Sequence, residues 1–268
     1  MNIKTWILLL VIGTITAAGC ASRTNLQTKN LTSQTVSGEW HWENFSNEEI
    51  KNWSQIHSPS FYTLLYGGWA EIGKKTILDV GAGQGHETII FAEKGFDVSA
   101  IDINKFAMDR LDKIAVDKKL SIKTKVGDVR KLPYPDQSFE FVYANKVVNL
   151  NGCDAIPSII AELNRVTKDG GRFFFTLNVF IEEGNPLFKE KLTKQEQGEK
   201  CLPGPSKYEK ICYFKDQYKT TYCFVDQAML EKLLKPYKVK WVLMDIFLNP
   251  IDDLSRQSSH YNILIEKK

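Results

Sequence analysis

What the sequence lacks narrows the field before anything it contains. Its five cysteines include no C-x-x-C pair, and beyond Cys20 the closest two stand eleven positions apart, which argues against a structural zinc site. Charge of one sign is missing too: 35 lysines and arginines face 32 aspartates and glutamates, a net charge of +3. The basic residues are scattered, so no electrostatic footprint for nucleic acid stands out and none is expected as a partner. No internal repeat is visible. No methionine occurs between Met1 and Met108. Disorder is excluded as a default, because 43% hydrophobic and 12% aromatic residues in a 268-residue chain suffice for a sizeable core.

The first twenty residues differ from all that follow. Lys4 supplies a positive start, Trp6 to Ala18 is nearly unbroken apolar sequence, and small residues lead into Cys20. The run is too short to span a bilayer comfortably as a helix, and it suits the apolar region of a signal peptide. "TAAGC" resembles the lipobox of bacterial lipoproteins, with Ala17 where leucine is commoner. The resemblance implies a lipidated Cys20 and a membrane-anchored protein of the cell envelope; if the signal is not used, the protein is cytoplasmic. Residues 21–38 are poor in apolar and rich in Ser, Thr, Asn and Gln residues, the composition of a flexible tether. The folded domain is expected from Glu39, beginning with an aromatic-rich helical cap (39–70) that carries a capping box from Ser46 to Glu49.

From there strands and helices alternate. "KTILDV", "FDVSAID", "SIKTKVGD" and "FEFVYAN" read as strands, and "HETIIFAEK", closed by Gly95, and "KFAMDRLDKIAVDKK" as helices. Helix "IPSIIAELNRV", with Pro157 in its first turn, is followed by Lys168-Asp169-Gly170-Gly171 as a stop signal and by the strand "GRFFFTLNV". Right-handed crossovers between such units give a doubly wound α/β domain with a mostly parallel sheet. Residues 181–224 form an insertion in which "KICYF" and "TYCF" suggest a hairpin. A helix capped by Asp226 and two consecutive strands then predict an antiparallel pair at a sheet edge.

Ligands of doubly wound sheets sit outside the strand C-termini, and Gly81, Gly83 and Gly85 occupy the turn after the first strand. A dinucleotide turn reads G-x-G-x-x-G, whereas here the third glycine comes one residue early, behind Asp79. This disfavours a nicotinamide oxidoreductase. "ILDVGAGQG", "SAID" and "VGDVRKLPYPDQSFEFVYAN" look like successive motifs of the class I S-adenosylmethionine-dependent methyltransferases, of the small-molecule type, over about Thr76 to Val179.

That resemblance implies a Rossmann-like α/β/α sandwich, S-adenosyl-L-methionine as cofactor, and methyl transfer to a small-molecule acceptor by in-line displacement. Carried over residue by residue, Asp79 with Gly81, Ala82 and Gly83 would hold the methionine end. Asp102, followed by Ile103, would accept the ribose diol. Asp128 would accept from the adenine amine while the Val129 amide meets a ring nitrogen, and Asn145 would lie near the methionine portion. No metal is implied, and no catalytic dyad is evident. His86 reads as a first-turn helix residue, while Tyr66, Asn178, Tyr208 and Tyr222 are candidates for the acceptor side. The alternative is a membrane-anchored, inactive module that binds the cofactor or a nucleoside. Cys153, Cys201, Cys212 and Cys223 allow three pairings, with Cys212–Cys223 across the hairpin preferred.

Overall fold

The computed structural model describes residues 9–10, 76–180, 199–214, 218–248 and 257–268. Cys20, the tether, the helical cap with its capping box and Tyr66, and residues 181–198 of the insertion lie outside the described residues. Elements are numbered here in chain order among those described.

The order of strands in the main sheet is β1-β10-β11-β6-β5-β2-β3-β4. β2 (Thr76–Val80) lies near its middle. The chain steps to one side through β3 (Asp97–Asp102) and β4 (Ile122–Val126), then to the other through β5 (Phe139–Ala144) and β6 (Thr167–Val179). These five are mutually parallel. The strand order therefore reverses beside β2, which places a crevice at its C-terminal end. β11 (Gln257–Glu266) runs antiparallel to both β6 and β10 (Lys238–Leu248), as expected for the C-terminal pair. The two-residue β1 (Leu9–Leu10), from the expected signal segment, pairs in parallel with β10.

Alternation along buried strands assigns the two faces. Ile77 packs with Phe91, Phe141, Tyr143 and Phe174, on the side covered by α1 (His86–Glu93). On α2 (Lys105–Lys118), Ala107, Met108 and Leu111 pack with Ala82 and Ala100. Leu78, Val80, Val142 and Phe173 share the opposite core with α3 (Ile156–Val166) and α4 (Gln227–Leu234). On α3 the buried residues are Ile156, Ile159, Ile160, Leu163 and Val166, one face at helical spacing. Each such side chain contributes about 1.5 to 3 kcal/mol on full burial.

Helix ends follow local chemistry. Gly95, at φ 86°, takes the left-handed position after α1. Asn104 caps α2 by accepting from the Ala107 amide at 3.1 Å, and Asp226 caps α4 by accepting from the Met229 amide at 2.8 Å.

Two readings change. The segment Lys168–Gly171 is not a stop between helix and strand but part of β6, which begins at Thr167 directly after α3. Its register against β5 shifts there, Phe139 facing Thr167 and Phe141 facing Arg172. The C-terminal residues hold it, since the Gly170 amide donates to the Lys267 carbonyl and the Lys267 amide to the Gly171 carbonyl. Among its described residues the insertion has three strands rather than a hairpin alone: β7 (Glu199–Pro203), β8 (Glu209–Phe214) and β9 (Tyr218–Val225), with β8 antiparallel to both neighbours. The end of β9 joins the main sheet beside β6, Asn178 facing Phe224 and Val179 facing Val225.

Candidate functional site

Gly81, Gly83 and Gly85 all have positive φ, at 71°, 52° and 76°, so the turn after β2 winds through backbone that disfavours a Cβ at each. The Gly81 and Ala82 amides both donate to the Ile101 carbonyl, at 2.8 and 3.1 Å, which ties the turn to β3. The three glycines nevertheless serve different ends. A Cβ at Gly81 would stand 2.6 Å from Val147, and one at Gly85 would run into Leu111, so both also permit close packing. At Gly83 a Cβ would meet nothing within 4 Å among the described residues, so of the three this position is the open one.

Asp102, closing β3, reaches across to that turn. One of its carboxylate oxygens accepts from the Gly83 amide at 2.9 Å and the other from the Asn104 amide at 2.8 Å. Burial raises its pKa, against the opposing effect of those amides. An ionised carboxylate offers roughly four acceptor sites, more than those two amides use. That is the requirement for gripping a vicinal diol.

A cavity of about 340 Å³ opens at this point. Gly81, Asp102, Ile103, Asp128 and Val129 line it, five of the residues assigned from motif positions. Asp128 arrives with a partner, Arg130, whose Nε lies 3.0 and 2.9 Å from its two oxygens and whose backbone amide donates at 2.8 Å. The guanidinium holds the Asp128 pKa below the usual range. An adenine amine donating to Asp128 therefore has to share that carboxylate with Arg130.

Asp79, Ala82, Gly83 and Asn145 fall outside the cavity lining. Ala82 is buried in the cluster under α2. Asp79 is buried, accepts from the Thr88 hydroxyl at 2.5 Å, and has a pKa pushed up to about 8, first by burial and then by the charge of Glu87. Asn145 joins the same polar group, donating to Glu87 at 3.5 Å and accepting from Thr176 at 3.4 Å. Burial and the Glu87 and Asp79 charges also raise the pKa of Tyr143, at the end of β5. The motif residues thus divide into a cavity wall and a buried acidic cluster at the same sheet end. A cation beside that cluster would relieve its repulsion.

The wall also takes residues that sequence reasoning missed, among them Val147 and Leu150 after β5, and Asn151 and Thr221. Asn151 and Thr221 form an isolated bridge, and the Gly152 amide donates to the Thr221 carbonyl at 3.0 Å. Nothing in the local pattern marks Thr221, because its position depends on where the insertion folds back. The expected Cys212–Cys223 bridge does not form. Cys223 is bonded to Cys153, with Cα atoms 4.9 Å apart. The register explains why: on β8 and β9, Cys223 faces Glu209 and Cys212 faces Thr220, so the expected partners are out of step. In the backbone pairing Cys212 lies opposite Cys201.

The acceptor-side candidates among the described residues, Asn178, Tyr208 and Tyr222, are not in the lining either. Tyr208 donates to Asp226 at 2.7 Å and packs its ring on Phe180, Asn178 lies in β6, and Tyr222 lies in β9. His86 opens α1 as expected.

Residues 78–175 match the family model described as "Methyltransferase domain". A malonyl-[acyl-carrier protein] O-methyltransferase of Serratia marcescens is 30% identical over 113 residues, 42% of this chain and 42% of that protein. The chain spans less than half the length of the curated relatives it matches. Among solved structures, the PH0226 protein of Pyrococcus horikoshii OT3 superposes with a TM-score of 0.60 at 18% identity, over 83% of this chain and 92% of that one. A Burkholderia thailandensis 1,6-didemethyltoxoflavin-N1-methyltransferase, solved with bound 1,6-didemethyltoxoflavin and S-adenosylhomocysteine, does so at 0.57 and 16% identity, over 82% of each chain. Residues 78–175 thus resemble a methyltransferase domain in sequence, and the surrounding fold is the Rossmann-like one of those solved structures.

Proposed function

We propose that the protein is an S-adenosylmethionine-dependent methyltransferase that acts on a small-molecule acceptor. The observation that carries this reading is the Asp102 carboxylate, oriented at the mouth of the glycine turn by two backbone amides, one on each oxygen. The cavity supports it, since Gly81, Ile103, Asp128 and Val129 lie around that acid.

The residues fit the cofactor part by part. Asp102 would take the ribose hydroxyls. Ile103 and Val129 supply apolar wall and the Val129 amide a donor for the adenine, with Asp128 sharing its charge between Arg130 and the exocyclic amine. Asp79, kept protonated by its burial and by Glu87, would give up that proton when the ammonium of the amino-acid end arrives, and so supply its countercharge. Bound there, the cofactor supplies a methyl group already activated on a sulfonium, so no covalent enzyme intermediate is needed. The chain's own task is to orient the acceptor and exclude water, and ideal orientation supplies about 7 to 11 kcal/mol. A general base is required only when the acceptor arrives protonated, which accords with the absence of a catalytic dyad from the sequence reading. The Burkholderia enzyme with its bound heterocycle supports a small acceptor.

The test is calorimetric titration with S-adenosylhomocysteine, followed by incubation with S-adenosylmethionine and an acceptor panel, read by mass spectrometry. Binding and a methylated product support the reading. Binding with no product from a broad panel favours the inactive module, and no binding rejects the site.

We further propose that the chain is tethered to a membrane in the cell envelope through lipidated Cys20. The Cys153–Cys223 disulfide supports this, because such bonds persist in oxidising compartments. An acylated peptide beginning at Cys20, in mass spectra of the membrane-extracted protein, is the expected result; recovery of an intact segment 1–20 overturns it.

A further inference from the structure

The proposed cofactor cleft has one wall whose placement rests on a covalent link between segments distant in sequence. Cys153 follows the short 3-10 turn after β5, Cys223 lies in β9 of the insertion, and 70 positions separate them. Each cysteine stands two residues beyond a residue of the cavity lining, Asn151 and Thr221 respectively. Those two form the isolated bridge. Two polar contacts run beside the disulfide: the Cys153 amide donates to the Glu209 carboxylate at 3.0 Å, and Gly152 to the Thr221 carbonyl.

From this seam the contacts lead to the glycine turn. The Asn151 side chain donates to the Val147 carbonyl at 2.9 Å. Val147 lines the cavity and packs so closely on Gly81 that no Cβ fits between them. Displacing the 151–153 segment therefore disturbs the residue that backs the turn.

We propose that the Cys153–Cys223 disulfide is a redox clasp on the cofactor cleft: oxidised, it seats the Asn151–Thr221 wall and gives the tight-binding form; reduced, it frees that wall and weakens cofactor binding. The inference rests on the cleft being the S-adenosylmethionine site. Closing the clasp joins two thiol sulfurs, with loss of two protons and two electrons to a protein or small-molecule disulfide that leaves as two thiols. Opening it is the reverse exchange with a dithiol, which ends as a disulfide. Cys223 is fully buried and Cys153 only partly so, which makes the Cys153 side of the bond the more accessible one.

The experiment is titration of the full chain with S-adenosylhomocysteine, oxidised and after reduction with dithiothreitol, alongside the double variant Cys153→Ala/Cys223→Ala. The oxidised chain is expected to bind on the order of tenfold more tightly than the other two forms, a coupling of ordinary size between two sites. Because coupling is reciprocal, saturating S-adenosylhomocysteine must make the disulfide harder to reduce by the same factor, a shift readable on the wild-type chain even where the double variant fails to fold. Equal affinity in both redox states, or a reduction midpoint that ignores the ligand, overturns the clasp and leaves the cofactor site standing. An oxidised chain that does not bind at all rejects the cofactor reading and the clasp with it.

Discussion

The two walls of the cleft are held by different means. The wall that carries Gly81, Asp102 and Val129 grows from the ends of three adjacent parallel strands, and main-chain hydrogen bonds within that sheet set its geometry. The wall that carries Asn151 and Thr221 joins a turn to an inserted strand through one bridge, a few side-chain contacts and a disulfide. The first has its position fixed by the core beneath it, whereas the second is tied in part by a covalent bond. On the proposal above, a cofactor bound on the first wall would be regulated from the second.

The largest effect expected tests the cost of the acidic cluster under the first wall. With its folded pKa near 8 against an ordinary value of 3.8, Asp79 keeps its proton in the native state where the unfolded chain releases it. Stability from this group is therefore fully present below about pH 4 and declines as pH rises toward 8, at up to about 1.4 kcal/mol per unit. Urea unfolding across pH 4 to 8 should show this decline, and Asp79→Asn should flatten it. An equal slope in both proteins removes Asp79 as the cause.

On the second wall, removing the disulfide with Cys153→Ala/Cys223→Ala should cost about 2 to 5 kcal/mol of stability, since it closes a long loop. Thermal unfolding of the oxidised wild type against the variant measures it. A loss much smaller than this shows that the wall is held by its polar contacts instead.

Returning to the first wall, Asp102→Ala should weaken S-adenosylhomocysteine binding by about 1.5 to 3 kcal/mol, the range for hydrogen bonds to a charged group. Unchanged affinity by calorimetry rejects Asp102 as the grip on the sugar. The smallest effects are expected at the glycine turn: at Gly85 the left-handed backbone alone makes Gly85→Ala cost about 1 to 2 kcal/mol, and the clash of its Cβ with Leu111 adds to that. Gly83, open to space, should tolerate Ala at a similar backbone cost for stability but lose ligand affinity more than Gly85→Ala does. Equal affinity losses at the two positions would erase the distinction drawn between packing and binding glycines.

The same contrast governs what the sequence made legible. β2 to β6 and their helices repeat a period that local residues impose, and the glycine turn, Asp102 and Asp128 sit where those elements end. Their places follow from short-range pattern. Arg130 lay within a recognised motif, but its hold on Asp128 is a side-chain geometry with no period. Lys168 to Gly171 resembled a chain break because its stabilising partners, near Lys267, are far along the sequence. The Cys153–Cys223 pairing and the neighbourhood of Thr221 depend on strand register in the insertion, and adjacency in sequence favoured the wrong partner for Cys223.

The most direct test of the central claim is a crystal structure of the oxidised chain with S-adenosylhomocysteine. The account predicts both ribose hydroxyls within hydrogen-bond distance of the Asp102 carboxylate, with the adenine against Ile103 and Val129. A ligand seated elsewhere, or a sugar turned away from Asp102, would contradict it.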